Sequence, residues 1–273
     1  MHAREPESIV IVGGLGRMGS RMHKLFLDAG YRVEVADKAT GPIAYESIAE
    51  HDVILLAAPI PALEELMEAL GPFTRPDGAI IDIASVKAAP IQAMLLHARG
   101  EVIGSHPLFG PDTPSLQDQI VFVCPARSKK WVVWFRHFME LQGARVVVID
   151  PDVHDRLMAV AQVFRHMLLF CFARSLMNMD FDLRSYLPVS GPWFSQLTEM
   201  LGCQLKQRPG LYAELAAHNS ATGQVAENFL RAAQEIAASY RDSDSSSLIS
   251  IIDDLSNYML TEISPAESSS ATP

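Results

Sequence analysis

The apolar and polar positions divide the chain into two halves with different periods. In the first half, short apolar runs of strand length alternate with helical patterns. Ile9-Val10-Ile11-Val12 reads as a strand that ends in glycines. Met18, Met22, Leu25, Phe26 and Ala29 then recur at helical spacing, and Gly30 closes that helix. Further strands are predicted at Arg32 to Ala36, Asp52 to Ala57, Ala79 to Ile83, Val102 to Gly104, Ile120 to Cys124 and Arg145 to Ile149. Strands that alternate with helices imply a mostly parallel sheet with helices on both faces. After Asp150 the β-branched runs stop, and long helical patterns continue to about Leu260. The expected fold class is therefore α/β, a Rossmann-type doubly wound, mostly parallel sheet followed by an all-α second domain. The expected boundaries are 1–150 for a dinucleotide-binding domain and 151–263 for a helical domain. Two serine-rich stretches, Asp242 to Ser247 and Ser264 to Pro273, are expected to be an exposed turn and a disordered tail at 264–273.

The glycines after the first strand change this picture from a fold to a binding site. Gly14-Leu15-Gly16-Arg17-Met18-Gly19 matches GxGxxG, with a strand before it and an amphipathic helix starting inside it. In that layout the first glycine permits the tight turn and the second lets a pyrophosphate approach the backbone. The third lets helix and strand pack closely, and the helix N-terminus faces the phosphates. Asp37 ends the second strand, 18 residues after Gly19. A carboxylate there binds both ribose hydroxyls and repels a 2′-phosphate, so NAD is expected over NADP, although Lys38 beside it softens the preference. Ala58 and Pro59, after the third strand, are placed on the cofactor side as well.

Charge and composition narrow the class. The net charge is -10 over 273 residues, which argues against nucleic acid as a partner. Cys124, Cys171 and Cys203 form no CxxC pair, so neither a disulfide framework nor a metal site is expected. Met1 to Ser8 is polar and charged, unlike a signal peptide. Leu157 to Met179 is apolar enough to raise the question of a membrane helix. Arg165 and His166 in its middle favour a buried helix instead, and a cytoplasmic protein with no membrane partner.

Asp82-Ile83-Ala84-Ser85-Val86-Lys87 follows one strand, and the run from Gly104 through His106 to Pro111 follows another. In a doubly wound sheet both lie at the carboxyl ends of strands, where ligands bind. Ser85 and His106 would converge there. Hydride removal from an alcohol carbon needs a base for the hydroxyl proton, and histidine suits neutral pH.

Together DIASVK, GSHPLFGPD and the glycine loop resemble the prephenate dehydrogenase family. The likeness is greatest to the dehydrogenase half of the enteric bifunctional chorismate mutase–prephenate dehydrogenase. It runs from about Ile9 to Tyr258. It takes in Val153-His154-Asp155, Met158, Gln162, Arg165-His166, Pro192, Gly202, Pro209 and Leu211-Tyr212-Ala213. The mutase domain is expected to be absent. The resemblance implies NAD-dependent oxidative decarboxylation of prephenate to 4-hydroxyphenylpyruvate, in aromatic amino-acid biosynthesis. It makes His106 the acceptor of the hydroxyl proton, Ser85 a partner near it, and His166 a substrate-site residue. It also implies a homodimer through the helical domain, a small dicarboxylate as substrate and no metal.

The chain departs from the family at one point. The arginine that clamps a substrate carboxylate falls at Ser195, and no arginine follows until Arg208. Losing a buried charge-assisted contact costs about 1.5–3 kcal/mol. Arg165, Arg184 and Lys87 are the cations that could replace it, Arg165 being next to His166. An alternative is a 4-amino-4-deoxyprephenate dehydrogenase making 4-aminophenylpyruvate. A binding or regulatory homologue without catalysis, and a β-hydroxyacid-type dehydrogenase using Lys206, fit less well.

Overall fold

The structure is a computed structural model, and it describes residues 5–242 and 245–263. Its contacts divide it into two compact units, one up to Thr222 and one from Gly223. The first unit contains a seven-stranded sheet in the order β2-β1-β3-β4-β5-β6-β7. The strands are β1 (Ile9–Val12), β2 (Val33–Ala36), β3 (Val53–Leu56), β4 (Ala79–Asp82), β5 (Glu101–Pro107), β6 (Ile120–Arg127) and β7 (Arg145–Val148). Every neighbouring pair is parallel except β5 and β6, which run antiparallel. The doubly wound, mostly parallel sheet expected from the alternation is present.

Helices α1 (Arg17–Asp28), α2 (Tyr45–Ile48), α3 (Leu63–Leu70), α4 (Ala88–His97) and α5 (Lys130–Leu141) link the strands. Successive strand residues feed opposite faces of the sheet. Ile9, Ile11, Val53 and Leu55 pack with Met22 and Phe26 of α1 and Trp134 and Phe138 of α5. Val10, Val12, Ile54 and Leu56 pack with Leu66 and Met67 of α3 and Met94 of α4. Both faces are covered, which is why the central strands read as unbroken apolar runs.

One strand is longer than its sequence pattern indicates. β4 ends at Asp82, paired with Gly104, but β5 continues through Ser105, His106 and Pro107. The antiparallel β6 supplies the pairing that the parallel neighbour no longer gives, with His106 opposite Phe122. His106 is thus in a strand, not in the loop expected for it.

The helical half of the first unit comprises α6 (Pro151–Met158), a π-helical segment (Ala159–Phe164), α7 (Arg165–Asn178), α8 (Leu183–Tyr186), α9 (Gly191–Leu205) and α10 (Pro209–His218). Pro151–Asn178 runs as one helical stretch long and apolar enough, by length and composition, to cross a membrane. Its most apolar window is only 28% buried within the chain, so the buried helix expected here is instead largely uncovered. The second unit contains α11, which begins at Thr222 and ends at Arg241, and α12 (Ser245–Ile263). Ile249, Ile252, Leu255, Tyr258 and Met259 stand exposed along α12 at helical spacing. The tail at 264–273 and part of the 242–247 stretch lie outside the described residues.

Gly19 carries the tightest backbone contact of this fold. A Cβ there would lie 2.2 Å from the Gly13 carbonyl oxygen. Gly19→Ala must push α1 off β1, at a cost of about 1–3 kcal/mol. It is expected to lower Tm by about 5 °C, measured by calorimetry; an unchanged Tm would show that α1 is not so closely seated.

Candidate active site

Four features build the cofactor corner. Gly13 adopts φ +81° and makes the turn, so the turn glycine lies one residue before the motif rather than at Gly14. Gly14 instead accommodates β2, since a Cβ there would lie 2.6 Å from Val35 Cγ1. Gly16 is the N-cap of α1, which has no side-chain cap and no acid in its first turn. The positive end of the helix is thus left open to an anion. Asp37 Oδ2 accepts from the Leu15 amide at 3.1 Å, and Oδ1 from Ala39 at 3.0 Å. The carboxylate therefore sits directly against the glycine loop, where a ribose would lie. Arg17 and Met18 open α1, and Ala58 and Pro59 lie just past β3, after Ala57, whose carbonyl would lie 2.7 Å from a Cβ on Gly13. A cavity of about 180 Å³ beside Asp37 is bordered by Ala36, Thr40, Ile43 and His51. These residues fit a dinucleotide.

His106 lies at the carboxyl edge of the sheet and is buried. Its Nδ1 is 2.9 Å from Nε2 of His154, whose own Nδ1 is 2.8 Å from Asp155 Oδ1. Asp155 also accepts from the amides of Lys87 (2.7 Å) and Ala88 (2.9 Å), at the start of α4. Asp155 is thus the acceptor at both oxygens, and His154 donates to it from Nδ1. With its Nδ1–H given to Asp155, His154 accepts at Nε2, and His106 donates from Nδ1. The outcome is an unprotonated Nε2 on His106. Burial, then His154 and the Lys87 cation, hold the His106 pKa well below its ordinary 6.5.

Lys87 is fully buried. Its ammonium donates to Asp82, and to the Ser105 carbonyl at 2.7 Å. It is therefore not available as a replacement carboxylate clamp, and acts as a fixed charge behind His106. Ser85, in the loop between β4 and α4, is half-buried. The partner found on His106 Nδ1 is His154, not Ser85.

His166 and Arg165 open α7 after the π-helical segment, an irregularity of the kind that often marks functional sites. Arg165 Nη2 donates to His166 Nε2 at 3.0 Å. Burial and that guanidinium push the His166 pKa down to about 4, so the ring is neutral with Nδ1–H as its free donor. The Tyr212 ring meets His166 edge-on at 4.7 Å, and the Tyr212 hydroxyl bonds the Gln204 carbonyl. A cavity of about 530 Å³ runs along α7 past His166, Phe170 and Tyr212 to Arg174. Ser195 Oγ donates to Gly191 O at 3.0 Å, back into its own helix. Arg184 lies exposed on α8.

The His106–His154–Asp155 chain was not assigned from the sequence. His106 and His154 are 48 residues apart, and no local period links them. The available signal was the adjacent His154-Asp155 pair at the start of a helix capped by Asp150, which accepts from Asp152 and Val153.

Two family models match the chain. Residues 18–148 match the nucleotide-binding domain of prephenate dehydrogenase, and 150–254 match its dimerization domain. The chain belongs to the prephenate dehydrogenase family. It is 35% identical over 211 residues to a T-protein of Enterobacter agglomerans, covering 77% of this chain and 56% of that protein. It is 26% identical over 275 residues to a probable arogenate/prephenate dehydrogenase of Methanocaldococcus jannaschii, covering 93% and 61%. A 4-amino-4-deoxyprephenate dehydrogenase of Streptomyces pristinaespiralis is 27% identical over 228 residues, covering 77% of each. The chain thus spans 56% to 63% of the length of the first three curated relatives it matches. Among solved structures, prephenate dehydrogenase of A. aeolicus, in complex with hydroxyphenyl propionate and NAD+, superposes with a TM-score of 0.74. The identity is 19%, over 95% of this chain and 99% of that one. At that identity the likeness concerns the fold.

The tautomer can be read directly. Nitrogen NMR of labelled histidine is expected to show His106 neutral at pH 6.5 and protonated at Nδ1. A His106 that is half-protonated at that pH would contradict the hydrogen-bond chain.

Proposed function

We propose that the chain is an NAD-dependent dehydrogenase that converts prephenate to 4-hydroxyphenylpyruvate and CO₂. The observation that carries this reading is the His106–His154–Asp155 hydrogen-bonded chain at the sheet's carboxyl edge, which leaves Nε2 of His106 to face a ligand. Family membership and the glycine corner support it. The bound nicotinamide would supply the acceptor for the hydride leaving ring carbon 4. The open α1 N-terminus, Gly16 and Asp37 would hold the dinucleotide, with Asp37 selecting NAD. His106 Nε2 takes the hydroxyl proton as the carbon–oxygen double bond forms. The ring carboxylate departs as CO₂, its bonding electrons aromatise the ring, and the proton returns to the phenolate oxygen. As His106 gains its proton, the imidazolium is stabilised through its Nδ1–H by His154, which Asp155 holds in place. Ser85 lies on the loop beside this edge and is assigned to orient the reacting group.

With Ser195 turned into its own helix, Arg165 is the cation assigned to a substrate carboxylate, and the neutral His166 donates beside it. The 4-amino substrate is the second reading, suggested by Ser195 and by the Streptomyces relative. Lys87 disfavours it. An ammonium on carbon 4 would meet His106 within the field of a buried cation, whereas a hydroxyl is neutral. We assign a homodimer to the exposed apolar stripe of α12 and the dimerization-domain match. Sedimentation is expected to give twice the chain mass, and a monomer at micromolar concentration would refute it.

Three kinetic outcomes follow. Asp155→Asn is expected to lower kcat on prephenate by at least about two decades, because the wrong tautomer then faces the substrate. Wild-type kcat/KM stays flat as pH falls through 6.5 and declines only below it, since the depressed His106 pKa keeps the base free. Arg165→Gln raises KM by about one to two decades. Assays with pure prephenate, arogenate and 4-amino-4-deoxyprephenate, followed by cofactor absorbance, decide the substrate. Turnover of the amino compound more than about a decade faster would overturn the first reading.

A further inference from the structure

Arg17 and Arg21, one turn apart on α1, reach from the cofactor corner to the connection that follows His106. Arg17 Nη2 donates to the Asp112 carboxylate, and its Nη1 donates to Gln207 Oε1 at 3.1 Å. Arg21 Nη2 donates to the Thr113 carbonyl at 3.0 Å. Asp112 and Thr113 belong to the connection between β5 and β6, which is seated in the core through Phe109 and Leu116. Gln207 lies in the turn between α9 and α10, and α10 carries Tyr212 against His166.

These contacts do little for stability. The Arg17 and Asp112 side chains are 58% and 82% exposed, and such pairs contribute little. Their placement is informative for another reason. Arg17 is the first residue of the helix whose open amides face the phosphates, so its backbone is at the cofactor. Its guanidinium meets both the His106 connection and the helical turn.

We propose that Arg17 couples dinucleotide binding to the order of the substrate side. A dinucleotide seated on the α1 N-terminus fixes the first turn of that helix. The Arg17–Asp112–Gln207 junction then holds the 108–119 connection and the α9–α10 turn in their bonded positions. By linkage, a ligand held by that connection tightens dinucleotide binding by the same factor. Arg17 and Asp112 are positioning residues, and the reacting atoms lie elsewhere. The inference rests on the nucleotide reading above, and it is independent of which substrate is used.

Hydrogen–deuterium exchange of the full chain with and without NAD+, beside calorimetric NAD+ titration, tests it. In the wild type, NAD+ is expected to slow exchange about fivefold in segments 108–119 and 203–210. Asp112→Asn is remote from the phosphates and still binds NAD+, with affinity lowered by no more than about fivefold, yet loses that slowing in 108–119. Combining it with Arg17→Gln removes no more in 108–119, where the two residues act through one contact, and also removes the slowing in 203–210 that Gln207 receives from Arg17. Bound NAD+ that leaves these segments unchanged in the wild type, or slows them equally in Asp112→Asn, overturns the coupling. In either case the nucleotide reading stands. Failure to bind NAD+ at all overturns both.

Discussion

The carboxylate of Asp155 is the point on which the site depends. A buried anion costs several kcal/mol unless it is met on all sides. Here the Lys87 and Ala88 amides at the positive end of α4 and the His154 imidazole meet it. The Asp155 carbonyl in turn accepts from Asn219 Nδ2 at 2.7 Å. One residue thus joins a sheet-flanking helix, the first helix of the helical half and the turn after α10. Orienting His106 is a consequence of holding these elements together. The orientation exists before any ligand arrives, and preorganisation of this kind keeps reorganisation out of the chemical step.

Much of this was legible in the sequence, for physical reasons. Strands buried on both faces must be apolar throughout, so β1, β3 and β4 announced themselves. The first helix did so by its stripe of Met22, Leu25 and Phe26. The glycine loop was legible because backbone crowding excludes side chains at fixed spacing. What failed had long-range causes. The extra length of β5 is supplied by an antiparallel partner that begins only at Ile120. The turn at Gly13 depends on the approach of Ala57, 44 residues away. Lys87 looked like a free cation because its buried partners, Asp82 and the Ser105 carbonyl, are brought to it only by the sheet. The long apolar run of α7 reads the same whether its cover is the chain itself or something beyond it, and its exposure is set by packing alone.

The two site histidines share one electrostatic design. Each is desolvated, and each has a fixed cation in its field: Lys87 for His106, Arg165 for His166. Desolvation and the cation act in the same direction, so both rings stay neutral where an ordinary histidine would be partly charged. They differ in what is left free. His106 keeps a lone pair, because its Nδ1–H is engaged by His154. His166 keeps an N–H, because its lone pair is engaged by Arg165. On the proposed reading, one ring takes a proton and the other donates a hydrogen bond. The chain carries a net charge of -10, yet each of these two positions has a cation beside it, Lys87 (paired with Asp82) and Arg165. A ligand that brings anionic carboxylates and a neutral hydroxyl satisfies both. A carboxylate near His106 would also offset the Lys87 field and raise the basicity of Nε2 when the ligand is in place. On the proposed reading the depressed pKa of the free site is then no obstacle to base catalysis, since the ligand would restore part of the proton affinity that burial removes.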